Sequence, residues 1–454
     1  MKLVVPSLIV EENDSFNNDI LNRKAFGEAL RNIVQKTDGE MVISLDGKWG
    51  EGKTTFVKMW QGLLLESKIP NIYIDAFAND YIDDPFITIA SAVNGYIEKN
   101  IKEDNKEEKI NELKEKTKKV GGKLLTWSAK LAVKAATLGV IKEAELEELQ
   151  GIKGDLAKAT STIIGDIIED KLESHSKDIL LIDSFRDSLS ELPSQLQNNE
   201  DGNPLVIIID ELDRCKPTFA VEILEKIKHL FSVENIVFVL VMHKQQLEEA
   251  VRCIYGQNID AHTYLQKFIN IETAIPKNIK SSPNDDLVKY SRRLLELHEL
   301  ETWGDNSNII DCIEPLANHF NLSLRQLEKV YTNIAILYAS SSQNQLRPVP
   351  ITIFLSIIKV VHPQTFNNIL SRKVSYHKMV KELHLEIEND EQRKLSWLMR
   401  WVKFGLLTES EYDALEEGDP VKDFGQDILW RYNVEREDLV YLFAQDLNMF
   451  TVNQ

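Results

Sequence analysis

Gly47-Lys48-Trp49-Gly50-Glu51-Gly52-Lys53-Thr54 fits the pattern G-x-x-x-x-G-K-[ST]. Each residue type in it has a chemical task. The glycines let the backbone curl and aim successive N–H groups at phosphate oxygens. A helix that starts at the end of the loop adds the positive end of its dipole. The Lys53 ammonium can bridge the β- and γ-phosphates, and the Thr54 hydroxyl can ligate Mg²⁺. Gly47, Trp49, Gly50, Glu51, Gly52, Lys53, Thr54 and Thr55 are therefore the expected nucleotide-binding residues. The general pattern does not require Trp49 or Glu51, and Trp49 also reads as a packing residue.

A second constellation lies downstream. Leu205–Ile209 is an unbroken apolar run followed by Asp210 and Glu211. Two carboxylates at the tip of a buried strand, in a chain that carries a phosphate loop, point to phosphoryl chemistry. The first holds the Mg²⁺ shell and the second polarises the attacking water. Asp210 and Thr54 are thus the expected metal residues, Glu211 the general base, and Lys53 the cationic catalytic residue. Alone, the pair would read equally as two solvated turn acids. Arg214 has two readings: an arginine finger reaching a neighbouring subunit's phosphates, or a local ion pair with Asp213 or Glu211. His243, at the end of another apolar run, reads either as a γ-phosphate sensor or as a surface histidine.

Both sites need elements to hold them. Residues 15–36 carry helical spacing, Glu40–Asp46 reads as a buried strand, and FVKMWQGLLLES as the helix after the loop. Asn71–Phe77, Leu205–Asp210 and Asn235–Met242 read as further strands, and Ala220–Phe231 as an amphipathic helix. Apolar strands alternating with helices imply an α/β fold, a parallel sheet flanked by helices. Residues 102–119 are highly charged and read as an exposed helix. Beyond residue 275 the periodicity is helical throughout. The expected organisation is a core in two parts (1–100 and 201–275), a helical insertion (101–200), a helical lid (276–375) and a C-terminal helical region (376–454).

Composition narrows the class. The chain has 454 residues, 43% of them hydrophobic and 28% charged, with a net charge of −19. That acidity weighs against general nucleic-acid binding without excluding a local basic groove. Cys215, Cys253 and Cys312 form no CxxC or Cys/His cluster, so no zinc site is expected, and a reducing compartment fits. The start, MKLVVPSLIVEEND, lacks a signal-peptide layout. Leu124–Ile141 is the most apolar stretch, but Lys130 and Lys134 favour a buried or amphipathic helix over a membrane span. A cytoplasmic protein is expected. No LSGGQ-like signature, G-x-S-x-G, H-E-x-x-H or nuclease set is present.

GKWGEGKTT together with IIIDELDRCKP resembles the KAP family of P-loop NTPases, whose loop carries a Trp where Trp49 stands. The family's acidic strand usually reads D-D-L-D-R-C; here Glu211 replaces the second Asp. Asp19–Arg23 resembles the family's entry helix near the nucleotide base, which brings Arg23 into the expected binding set. Tyr264–Phe268 resembles a segment after the fourth strand. The helix around Arg325 resembles one that carries an arginine toward the γ-phosphate, although Arg325 also reads as an exposed helix residue. The resemblance spans roughly residues 15–375 and implies an ATP-binding, Mg²⁺-dependent ATPase that acts as a regulatory or assembly switch. A complete ATPase core with no second active site points to an effector partner, and an arginine finger in trans would require homo-oligomerisation; bacterial members of the family suggest a role in excluding phages or plasmids. Many members carry membrane helices between the two motifs; this charged insertion has no clean span. A non-hydrolysing ATP-bound scaffold and a nucleic-acid-stimulated motor remain as competing readings.

Overall fold

The computed structural model describes residues 2–4, 15–37, 39–82, 84–101, 108–121, 179–197, 199, 201–277, 285–342, 345–386, 393–422 and 434–449. The apolar stretch at 124–141 and the first part of the charged helix expected at 102–119 lie outside the described residues. No described helix is long and apolar enough to cross a membrane.

Five parallel strands form one sheet in the order β2-β3-β4-β1-β5: β1 Met41–Asp46, β2 Asn71–Asp75, β3 Leu205–Asp210, β4 Ile236–Met242 and β5 Ile271–Ala274. β3 and β4 are buried along their whole length, which is why LVIIID and IVFVLVM show no polar alternation. Alternate side chains separate to two faces. Ile43, Leu45, Val206, Ile208, Val237 and Val239 meet helices Lys24–Gln35 and Lys53–Glu66. Val42, Ile72, Ile74, Ile207, Phe238 and Leu240 meet helices Pro85–Asn100, Pro217–Lys226 and Lys244–Tyr255. The helical residues 108–121 and 179–195, within the charged insertion, add Leu113, Val120, Phe185 and Leu189 to that second face.

The strand order determines where a ligand can enter. The chain leaves β1 through helix Lys53–Glu66 on one face and leaves the adjacent β4 through helix Lys244–Tyr255 on the other. Neighbouring strands whose connections part to opposite faces open a crevice at their carboxyl ends. The phosphate loop begins at that crevice.

Three elements differ from their sequence patterns. β5 is an additional strand on the edge beside β1, alternately half-buried and exposed, and too short to stand out as an apolar run. The first helix begins only at Lys24, because Asn22 takes a left-handed conformation (φ 54°). β2 stops at Asp75, whose side chain accepts the Ala78 N–H and caps a short helix Ala76–Asn79.

The helices from Asp286 to Asn448 share a separate core. Its centre is Val349–Val361, a helix buried from Val349 to Ile358 and packed against helices Asn306–His319, Leu324–Ser340, Arg393–Leu406 and Arg436–Asn448. Side chains from both sides of residue 375 line it, Ile353 and Phe354 with Leu398 and Leu439.

Phe231 is fully buried and meets Phe86, Phe185 and Phe238 at ring-centroid distances of 5.5, 5.7 and 6.5 Å. It thus joins helix 85–100 and the end of the insertion to β4. Phe231→Ala is expected to destabilise the protein by about 3–5 kcal/mol. A denaturant midpoint indistinguishable from wild type would show that this cluster does not hold the insertion to the sheet.

Candidate functional site

The loop between β1 and helix Lys53–Glu66 turns through two left-handed glycines, Gly50 and Gly52, both at φ 80°. Gly52 is the helix N-cap, so the first helical N–H groups face the loop. Lys53 is 9% exposed, and its ammonium donates to Gly47 O at 2.5 Å and Lys48 O at 3.3 Å. Burial pulls the Lys53 pKa down, while Asp213, Asp210, Glu211 and Glu51 oppose that fall.

β3 ends two strands away from β1, with β4 between them. Thr54, at the start of the helix, bridges the gap: its Oγ1 donates to Glu211 Oε1 at 3.3 Å. Asp210 has no solvent exposure. Its Oδ2 accepts the Tyr73 hydroxyl at 3.0 Å, and its Oδ1 accepts the Glu211 N–H at 2.8 Å. Burial raises the Asp210 pKa; hydrogen bonds from Thr54, Glu211 and Tyr73 and the Lys53 charge counter it. Glu211 sits at φ 60°, a left-handed conformation costly for a residue with a Cβ. That turn swings the chain into the short 3₁₀ helix Leu212–Arg214, and Arg214 Nε pairs with the Glu211 carboxylate. Burial also raises the Glu211 pKa, opposed chiefly by Arg214.

A cavity of about 650 Å³ opens on these groups. Gly50, Gly52, Lys53, Thr54, Thr55, Arg23, Glu211, Arg214 and Arg325 line it; Gly47, Trp49, Glu51 and Asp210 stand outside the lining. Trp49 is 46% exposed, donates its indole N–H to Asp213 and presents its ring to His243 at 5.8 Å. Arg23 is buried and donates to Glu51 O at 3.0 Å, fixing the loop backbone from the cavity wall. Burial lowers its pKa as well. The Glu51 carboxylate accepts the Lys48 N–H at 2.8 Å and pairs with Lys277.

The helical part closes the cavity's other wall with Tyr290, Arg293, Leu297, Leu324, Arg325 and Glu328. Ser323 and Gln326 form a capping box that sets the start of helix Leu324–Ser340. From there the Arg325 N–H donates to Gly50 O at 3.2 Å.

Sequence reasoning misses Tyr73, Lys277 and the wall from helix Asp286–His298. Tyr73 had a usable signal: it is two residues before the end of a strand beside β3, in register with Ile208. Lys277 and Tyr290 had none, because only the folded chain brings them to the loop.

The oxygen donors here suit a hard cation. Thr54 and Asp210 supply a hydroxyl and a carboxylate, and no cluster of three or more His, Cys, Asp or Glu able to hold a metal occurs among the described residues. Mg²⁺ commonly takes one or two protein oxygens and completes its shell with phosphate and water, so the residues fit it.

The ORC2 protein of Aeropyrum pernix aligns over 98% of this chain and 96% of its own, at a TM-score of 0.35 and 12% identity. An uncharacterized protein of Methanocaldococcus jannaschii is 32% identical over 138 residues, 28% of this chain and 69% of that protein. The KAP family P-loop domain matches residues 23–341, which include the phosphate loop, the acidic end of β3 and the Arg325 helix. By that match, over more than half its length, the chain belongs to the KAP family of P-loop NTPases.

Proposed function

We propose that this chain hydrolyses ATP with Mg²⁺ in the cavity at Gly47–Thr54, and that the nucleotide state sets how the helical part packs on the loop. One observation carries the reading: Thr54, from the phosphate loop, meets Glu211, from the acidic end of β3, at 3.3 Å, within the electrostatic reach of the Lys53 ammonium. Binding would use the loop N–H groups, Lys53 and the helix N-terminus. Thr54 and Asp210 would hold Mg²⁺, which supplies charge neutralisation on the phosphates. Tyr73 and the Glu211 N–H keep Asp210 oriented for that task.

Glu211 is the proposed base. Its carboxylate is held between Arg214 and Thr54, at a backbone turn that aims it into the cavity. It would accept a proton from the attacking water. Arg214 and Arg325 both line the cavity and would steady phosphate charge there. The Arg325–Gly50 hydrogen bond supports the switch: a change in loop geometry alters a contact with the helical core. Homo-oligomerisation and an effector partner are part of the same proposal. The phage-exclusion role rests on the family resemblance alone, and plating phage on cells with and without the Lys53→Ala protein tests it.

Lys53→Ala is expected to abolish nucleotide binding, measured by titration calorimetry. Glu211→Gln is expected to keep binding and lower kcat by about 10²–10⁴-fold. Wild-type steady-state phosphate release from either variant would sink the hydrolysis reading. Release no faster than the uncatalysed background from the wild-type protein would favour the ATP-bound scaffold.

The pH dependence follows from Glu211. Burial raises its pKa, and the base works only when ionised. Activity is therefore expected to be full above that raised pKa and to fall as pH drops through it. The acid limb of the kcat/KM profile, which reports the free protein, should lie above the ordinary glutamate value; a limb at or below that value would show that Glu211 is not the titrating base.

A further inference from the structure

A loop built to receive a polyanion contains a residue of the wrong sign. Glu51 lies between the two left-handed glycines, and its carboxylate is not in solvent, the residue being 7% exposed. One oxygen accepts the Lys48 N–H at 2.8 Å, and the other meets the Lys277 ammonium. A Cβ on Gly47 would lie 3.2 Å from Glu51 Oε2 and 3.2 Å from Lys53 Cγ, so the carboxylate and the Lys53 stem share the space beside Gly47. The Glu51 charge is accordingly felt at Lys53.

The carboxylate has a structural use: it holds the Lys48 N–H and so fixes the first turn of the loop. Its charge has a cost. A buried carboxylate without a partner is strongly unfavourable, and beside the phosphate cradle it would also repel the ligand. The Lys277 side chain, one third exposed, reaches in from just beyond β5, outside both motifs.

We propose that Lys277 is a positioning residue of the nucleotide site, whose ammonium cancels the Glu51 charge so that the loop keeps its fold without repelling a triphosphate. The inference rests on the proposed triphosphate site at Gly47–Thr54.

Titration of the full chain with Mg·ATP and Mg·ADP at low salt tests it. Lys277→Met should raise Kd about tenfold or more for ATP and less for ADP, because the repulsion scales with ligand charge. Lys277→Arg should bind like wild type. Glu51→Gln alone should weaken binding less than Lys277→Met. The double variant Glu51→Gln/Lys277→Met should recover to within about threefold of wild type, since the Gln amide oxygen still accepts the Lys48 N–H without a charge. The larger loss for ATP than for ADP separates the proposal from a purely structural ion pair, whose disruption would weaken both ligands equally. Lys277→Met binding within twofold of wild type, or a double variant as weak as Lys277→Met, overturns the proposal. If Lys277→Met does not fold, the charge-balanced double variant decides: it must melt near wild type and bind. Equal binding by wild type and Lys53→Ala would instead overturn the nucleotide site itself.

Discussion

Asp210 is a carboxylate with no exposed surface, at the tip of a strand that has none either. Such a charge is tolerated only when hydrogen bonds and an opposite charge replace the water it has lost. Its compensation comes from three places: the Tyr73 hydroxyl from β2, the N–H of the next residue, and Thr54 and Lys53 from the helix after β1. Only the order β2-β3-β4-β1 places those elements around the end of β3. The sheet topology and the chemistry of the site are therefore one constraint.

Much of this was legible in the chain. The loop and the acidic strand end are local patterns, and each residue type in them has a task that follows from its own chemistry. Buried parallel strands leave apolar runs, so four of the five could be read directly. β5 could not, because a short edge strand with alternate exposure resembles a loop. Lys277 was invisible for another reason. An ammonium that compensates a buried carboxylate is selected by distance in the fold, and sequence spacing carries no trace of it, whereas Tyr73 left a partial one in its place near the end of a strand. The common core of residues 287–447 was hidden in the same way, since helical periodicity shows which face is apolar but not which helices share it.

The net charge of −19 is similarly uninformative about the site. The cavity is lined by Arg23, Lys53, Lys58, Arg214, Arg293 and Arg325, against Asp19, Glu211 and Glu328. A concave surface with excess cations focuses its field on an entering anion whatever the rest of the molecule carries. The acidic surface argues about solubility and nonspecific partners, and the cavity argues about phosphate.

Gly50 joins these themes. Its φ of 80° already disfavours any side chain, and a Cβ there would stand 2.7 Å from Arg325 Cβ and 3.1 Å from Ser323 Oγ. The glycine serves two needs at once: the curl of the phosphate loop, and the close approach of a helix from the second core. Arg23 holds Glu51 O from the segment before the sheet, Lys277 holds the Glu51 carboxylate from the segment after it, and the Arg325 N–H holds Gly50 O. A loop gripped from three directions cannot change its backbone without disturbing at least one of them. The contact least able to adjust is that at Gly50, where backbone meets backbone and no flexible side chain can absorb a shift. The loop and the second helical core therefore constrain each other most tightly at Gly50.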